Sequence, residues 1–276
     1  MIAGCLLVPA LGCMQMNIGE KFLFNPIKGD KHPATEASME PVLLTAPDRV
    51  HISGLFLIHP RARGSVLYFG PNMDTAEGML PFLRAYRNRA RVNVLMVNYR
   101  GYGFSEGEPS WETLASDGKM ALEWLKARPE AAGKPLVLHG FSLGSLIVSM
   151  IAASTPVDGA ILQGSGTTVR EYARHRIPWF AKPFARITIA PKLDRLDNRE
   201  WVRQNHAPLL VLVGKKDEAA YWKMSRELYE ASPSANKRFV CLPKGHHNGL
   251  ETQPGYDDAV MGFLDSVIQK KPQPTS

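Results

Sequence analysis

The chain has 276 residues, of which 45% are hydrophobic and 21% charged, with 23 glycines and 21 prolines. That length suits one α/β domain carrying an insertion, and the apolar fraction excludes a disordered, collagen-like or low-complexity chain. The formal net charge of +7 is spread along the sequence, with no basic tail and no zinc-finger spacing, so it reads as a solvated basic surface with no nucleic-acid partner.

Residues 1–20 are expected to form an N-terminal signal or lipoprotein-like segment. Ile2 to Leu11 is uncharged and mostly apolar, and small residues precede both Cys5 and Cys13. The segment resembles a bacterial lipoprotein signal, in which the cysteine after the small residue is acylated. Cys13 is the candidate lipidation site because more apolar chain precedes it. No Lys or Arg stands ahead of the apolar run, and Ala10 takes a place where leucine is usual. The stretch is too short to cross a bilayer, which needs about 18–20 apolar residues. Location therefore reads as a membrane-anchored lipoprotein or an exported protein, with a cytoplasmic protein as the alternative. Cys241 lies in an apolar run and is expected to be a core thiol. Three widely spaced cysteines make neither a disulfide framework nor a metal cluster.

Further along, the stretches 36–50 and 51–58 alternate in the manner of strands, and Ser65–Phe69 is a short β-rich run ending at the turn Gly70-Pro71-Asn72. A helix is expected over 76–89 and a strand over 92–97. That strand empties into Tyr99-Arg100-Gly101-Tyr102-Gly103. Spacing then gives a helix over 111–128, a buried strand at 136–139 and an apolar helix over 143–154. Strands follow at 159–162 and 209–213, a helix over 221–231, a strand at 238–242 and a closing helix over 256–269. Continuous apolar strands alternating with helices predict an α/β fold: a mostly parallel, twisted sheet with helices on both faces. The domain is taken as 21–276. The interval at about 167–207 is too long for an ordinary connection, so it reads as a short helical cap inserted between core strands.

Chemistry concentrates at Gly140-Phe141-Ser142-Leu143-Gly144. This is the G-x-S-x-G pattern, placed between a predicted strand and a predicted helix. A chain that turns so sharply tolerates only small residues at Gly140 and Gly144, and it presents Ser142 at the sheet's carboxyl edge and a helix N-terminus. A serine hydroxyl needs a base to take its proton. In this arrangement the acid and then the histidine follow later strands. Asp217 ends Val211–Asp217, with Glu218 as its competitor, and His246 and His247 follow Phe239–Gly245. Neighbouring loop side chains diverge, so only one of the two can face the serine; His247, followed by Asn248, is favoured. Of the other histidines, His139 is expected to be a satisfied core residue, while His32, His51, His59, His175 and His206 lie where no member of the site belongs. The oxyanion needs two donors. One is the backbone N–H of Leu143. The other comes from the loop after Phe69, where Pro71 has none to give, so Asn72 is chosen over Met73.

The motifs at 67–72, 98–107, 140–145, 213–217 and 245–248, taken in this order, resemble the α/β-hydrolase superfamily. The likeness is to its small serine-hydrolase branch of lysophospholipid lipases and protein depalmitoylases, and it spans roughly 43–268. The resemblance implies the α/β-hydrolase fold, a Ser142–His247–Asp217 triad and ester or thioester hydrolysis through an acyl-enzyme, without a metal or organic cofactor. Gly70-Pro71-Asn72 stands where relatives carry His-Gly-Asn or Gly-Gly-Asn.

In the cap, Tyr172, Ile177, Trp179, Phe180, Phe184, Ile187 and Ile189 alternate with Arg170, Arg174, Arg176, Lys182 and Arg186. Such a face suits an acyl-ester substrate and peripheral contact with a membrane, or else simple packing on the core. Two other readings are kept: a serine peptidase-like hydrolase, for which a large N-terminal propeller has no room, and a non-catalytic binding protein on the same fold. The sequence sets no oligomeric state.

Overall fold

In a computed structural model, described here for residues 14–270 except 32 and 35, ten strands and nine helices are distinguished among the described residues. Cys5, Cys13 and His32 lie outside the described residues, and so does the question of acylation at Cys13. The strands are β1 (Met14–Ile18), β2 (Met39–Thr45), β3 (His51–Leu57), β4 (Ser65–Phe69), β5 (Asn93–Val97), β6 (Leu136–Phe141), β7 (Gly159–Gln163), β8 (Ala185–Ile189), β9 (Leu209–Gly214) and β10 (Lys237–Leu242). The helices are α1 (Glu20–Leu23), α2 (Leu80–Ala90), α3 (Trp111–Lys126), α4 (Leu143–Ser154), α5 (Val169–His175), α6 (Pro191–Asp194), α7 (Asn198–Gln204), α8 (Trp222–Ala231) and α9 (Tyr256–Lys270). Among the described residues no helix is long and apolar enough to cross a membrane.

Eight strands form the main sheet in the order β10-β9-β7-β6-β4-β5-β3-β2. The β2–β3 and β3–β5 pairs are antiparallel and the rest are parallel. Central strands are buried on both faces because helices cover both, so their sequences read as unbroken apolar runs. The pleat sends alternate residues to opposite sides. Leu67 and Phe69 of β4, with Leu209 and Val211 of β9, meet α3 and α4 on one face. Val66 and Tyr68, with Leu210 and Leu212, meet α2 and α9 on the other.

Element boundaries differ from expectation where local chemistry overrides periodicity. Helix α2 starts at Leu80 rather than residue 76 because Pro81 occupies its first turn, where a missing N–H costs nothing. The residues ahead of it turn instead, with the Gly78 N–H donating to Thr75 Oγ1 at 3.0 Å. Cys241 is only partly buried, since β10 is an edge strand, and burial pushes its thiol pKa up.

The larger difference is the arm at the start of the described chain. β1 pairs in parallel with β8, Met14 facing Ala185 and Ile18 facing Ile189, in a separate two-stranded sheet. Residues 14–20 thus belong to the folded body, whereas the sequence pattern places the start of the domain at residue 21. The cap is likewise not wholly helical: it carries α5, a 3-10 turn at Lys182–Phe184, β8, α6 and α7. Arm and cap supply half a ribbon each, and neither half shows its partner in the sequence.

Candidate active site

Ser142 stands between β6 and α4 with φ 52° and ψ −113°. A side chain rarely adopts that conformation, and neighbours must enforce it. Gly140 and Gly144 make the enforcement possible. A Cβ on Gly140 would strike the Gly144 carbonyl, and one on Gly144 would strike the Phe69 carbonyl of β4. The two absent side chains let helix, elbow and neighbouring strand touch backbone to backbone. The Ser142 N–H donates to the Gln163 carbonyl (2.8 Å), and Ser145 Oγ donates to the Ser142 carbonyl (2.5 Å), so the bend is held on both sides.

His247, from the loop after β10, places Nε2 3.0 Å from Ser142 Oγ. Its Nδ1 lies 2.8 and 3.0 Å from the two oxygens of Asp217, in the loop after β9. A carboxylate only accepts, so neutral His247 carries its proton on Nδ1 and turns the Nε2 lone pair to the serine hydroxyl. The Asp217 side chain is wholly buried and that of His247 is 12% exposed. Asp217 Oδ1 also accepts from the N–H groups of Ala219 (2.9 Å) and Ala220 (2.6 Å), which fixes the carboxylate before any substrate arrives. His246 points elsewhere: its side chain is 58% exposed and lies 3.3 Å from Glu218. The two adjacent histidines diverge, His247 towards Ser142 and His246 towards Glu218.

Leu143 and Asn72 both line the cleft above Ser142. The Leu143 N–H belongs to the first turn of α4, where no intrahelical acceptor exists. In the Gly70-Pro71-Asn72-Met73 loop, the Met73 N–H donates to Asn72 Oδ1 (3.1 Å). The Asn72 N–H makes no hydrogen bond among the described residues. The side chain of Asn72 is fully engaged: Nδ2 donates to the Leu23 carbonyl (2.8 Å), and Oδ1 accepts from Tyr102 Oη (2.5 Å) and the Asn25 N–H (3.1 Å). Tyr99 Oη donates to the Gly70 carbonyl (2.6 Å). The tyrosines of the Tyr99–Gly103 loop therefore shape the Asn72 loop, a function that the sequence motif did not disclose.

The cleft itself is assembled from distant pieces. Leu143 and Leu146 of α4 meet Val169 and Tyr172 of the cap, while Leu23 of the arm closes another side. Trp111 of α3 and Trp201 of α7 contribute to the wall with stacked indoles, 5.9 Å apart at 20°. No periodicity marked Leu23, Trp111 or Trp201, because each reaches the site only through tertiary packing. The cap residues divide into two groups. Tyr172 faces the cleft and Ile177 and Ile189 are buried, whereas Trp179, Phe180 and Phe184 are exposed. His175, where no member of the site was expected, stacks on Tyr221 at 4.7 Å, and burial lowers its pKa.

A mostly parallel sheet that delivers a strained serine elbow, with a histidine and a buried acid behind it, defines the class of α/β hydrolases. Residues 55–223 match the model of the alpha/beta hydrolase family, and this chain belongs to that family. Protein bem46 of Schizosaccharomyces pombe is 27% identical over 231 residues, covering 82% of this chain and 76% of that protein. The lysophosphatidylserine lipase ABHD12 of Danio rerio is 27% identical over 194 residues, covering 66% of this chain and 48% of the lipase. Among solved structures, the Pyrococcus furiosus esterase Pf2001 shares the fold with a TM-score of 0.71 at 19% identity, covering 89% of this chain and 99% of the esterase.

Proposed function

We propose that this chain is a serine hydrolase that cleaves carboxylic ester or thioester bonds in substrates with an apolar acyl chain. Ser142 Oγ attacks the carbonyl carbon as its proton passes to His247 Nε2. Asp217 holds the imidazole and stabilises its charged form. The backbone N–H groups of Leu143 and Asn72 bind the oxyanion, and the N-terminus of α4 adds a favourable dipole. His247 returns the proton to the departing alcohol or thiol, then draws one from water, whose oxygen attacks the acyl-Ser142 ester. The acid leaves and the serine is regenerated. Every step uses groups of this chain and water.

The observation that carries this reading is the hydrogen-bonded line from Asp217 through His247 to Ser142, 3.0 Å long at its last link, at the foot of a cleft with leucine, valine and tryptophan walls. The relatives with lipase and esterase names support the bond class. The same reading includes acylation of Cys13 and peripheral membrane contact, supported by the uncharged stretch before Cys13 and the basic cap.

A fluorophosphonate probe tests the nucleophile. Wild type is expected to form one adduct, on Ser142, that Ser142→Ala abolishes along with hydrolysis of a panel of acyl esters. His247→Gln is expected to lower kcat by at least about a thousandfold, and His246→Gln to leave it within about threefold. An unlabelled Ser142 in folded wild-type protein would instead favour a binding protein on this fold. Indifference to acyl length, or a preference for acetyl esters, would remove the apolar-chain assignment.

A further inference from the structure

The most exposed large hydrophobic residues of the cap take no part in the cleft. Trp179 and Phe180 are 82% and 63% exposed, set edge to face with ring centres 6.0 Å apart, and Phe184 is 45% exposed. They project from an ordered turn. The Ala181 N–H donates to the Pro178 carbonyl (2.9 Å), the Phe184 N–H donates to the Ala181 carbonyl (3.0 Å), and Ile177 beside it is buried. Holding the Trp179 and Phe180 rings in water on a hydrogen-bonded turn, with Phe184 half exposed beside them, opposes folding, and such a patch marks a surface that another apolar phase covers.

Charge selects the phase. From Tyr172 to Leu193 the chain contains no Asp or Glu but holds Arg174, Arg176, Lys182, Arg186 and Lys192. Arg170 and Lys192, at the borders, pair with Asp194 and Glu112. Among the described residues, Arg174, Arg176, Lys182 and Arg186 have no carboxylate partner. Aromatic side chains with flanking cations match an anionic bilayer, where rings enter the headgroup region and cations meet lipid phosphates. The chain path agrees. β1 enters beside β8 with Met14 opposite Ala185, next to Phe184, and residues 1–13 contain no Asp, Glu, Lys or Arg.

We infer that Trp179, Phe180 and Phe184, with Arg174, Arg176, Lys182 and Arg186, dock this chain onto an anionic lipid bilayer. The rings supply apolar insertion and the cations supply attraction. One weak anchor holds a protein only marginally, and this surface supplies a second contact, beside the β1–β8 ribbon. The inference rests on the peripheral membrane contact proposed above, to which it gives residues and a lipid class; it does not depend on the hydrolysis assigned to Ser142, and the two fail separately.

The test uses the full chain carrying Cys13→Ser, so that any acyl anchor is absent. Co-sedimentation is measured with vesicles of phosphatidylcholine alone and with added phosphatidylglycerol. Binding is expected only to the anionic vesicles and is expected to weaken with salt. The Trp179→Ser, Phe180→Ser double variant is expected to bind at least about tenfold less, and each cation-to-glutamine change about fivefold less. Fluorophosphonate labelling and turnover of a soluble short-chain ester serve as the control and are expected to stay unchanged, since the substituted rings are exposed. Brominated lipid is expected to quench tryptophan fluorescence in wild type and much less in Trp179→Phe. Undiminished binding by the double variant, or quenching undiminished in Trp179→Phe, would overturn the inference. So would salt-insensitive binding to neutral vesicles, or a solution dimer that the double variant dissociates, which would make the patch a contact between two copies. Failed labelling of wild type beside intact vesicle binding would sink the hydrolase reading alone.

Discussion

His139 lies one residue before Gly140 on β6, fully buried. An amide oxygen only accepts, so Nε2–H donates to Gln163 Oε1 at 3.2 Å, and Nδ1 accepts from Tyr86 Oη at 3.0 Å. Burial pushes its pKa down to about 3 from 6.5. The ring therefore stays neutral in the fold while it charges in the unfolded chain once pH drops below 6.5. In that window the unfolded state binds more protons, so stability falls with falling pH, by up to about 1.4 kcal/mol per unit. His139→Gln is expected to make the fold less stable at pH 7 but less acid-sensitive. Its loss of unfolding free energy between pH 6.5 and 5, read from urea titrations, should be about 2 kcal/mol smaller than in wild type. An unchanged acid slope would show that this histidine is not the group responsible. The sequence anticipated His139 as a core residue from its place on an apolar strand; its partners come from α2 and β7 and could not be read locally.

At the scale of elements, the loop after β5 ties three parts of the molecule to the cleft. Arg100 bonds Asp117 of α3 at 2.8 and 3.0 Å and Asp48 in the β2–β3 turn at 2.5 and 3.1 Å, anchoring the loop from below. Tyr99 and Tyr102 then fix the Gly70–Met73 loop from the side. Tyr102 Oη also accepts from the Asn25 N–H at 2.8 Å, which draws the arm into the same network. In Tyr102→Phe the ring stays, but Asn72 Oδ1 loses its hydroxyl donor. If Asn72 binds the oxyanion, kcat for a soluble ester is expected to fall about tenfold with KM nearly constant, less than the loss of a whole oxyanion donor. A change confined to KM would argue that the loop only shapes substrate entry. Helices were legible in sequence by two routes: α4 begins and ends where its apolar spacing says although no side chain caps it, and α3 starts directly after its Ser110 cap. β1 was not legible, because a five-residue strand with one partner strand carries little local signal.

Across the whole molecule, the eight-stranded sheet with its two apolar layers carries an appended unit made of the arm and the cap. Among the described residues the β1–β8 ribbon has no third strand, and an isolated two-stranded ribbon contributes little stability by itself. Local opening is expected to follow this division. By hydrogen exchange, amides of β1 and β8 should become deuterated together and well before those of β6 and β9. Exchange of β1 and β8 at clearly different rates would show that the ribbon does not open as one unit, and protection equal to the central strands would make the cap part of the rigid core. Such opening would expose the Leu23 and Tyr172 sides of the cleft together, since both walls ride on the ribbon's neighbours.

The sequence by itself determined the alternating core, the sharp bend at Ser142 and the chain order of the serine, the acid and the histidine pair. Each follows from short-range rules: apolar runs bury, glycine permits close approach, and loops after strands gather at one sheet edge. Only tertiary structure decided that His247 rather than His246 approaches Ser142, that two tyrosines of a glycine-rich loop hold Asn72, and that the arm pairs with the cap. Those outcomes depend on side-chain direction and on contacts between segments tens to hundreds of residues apart, where no local pattern fixes distance or angle.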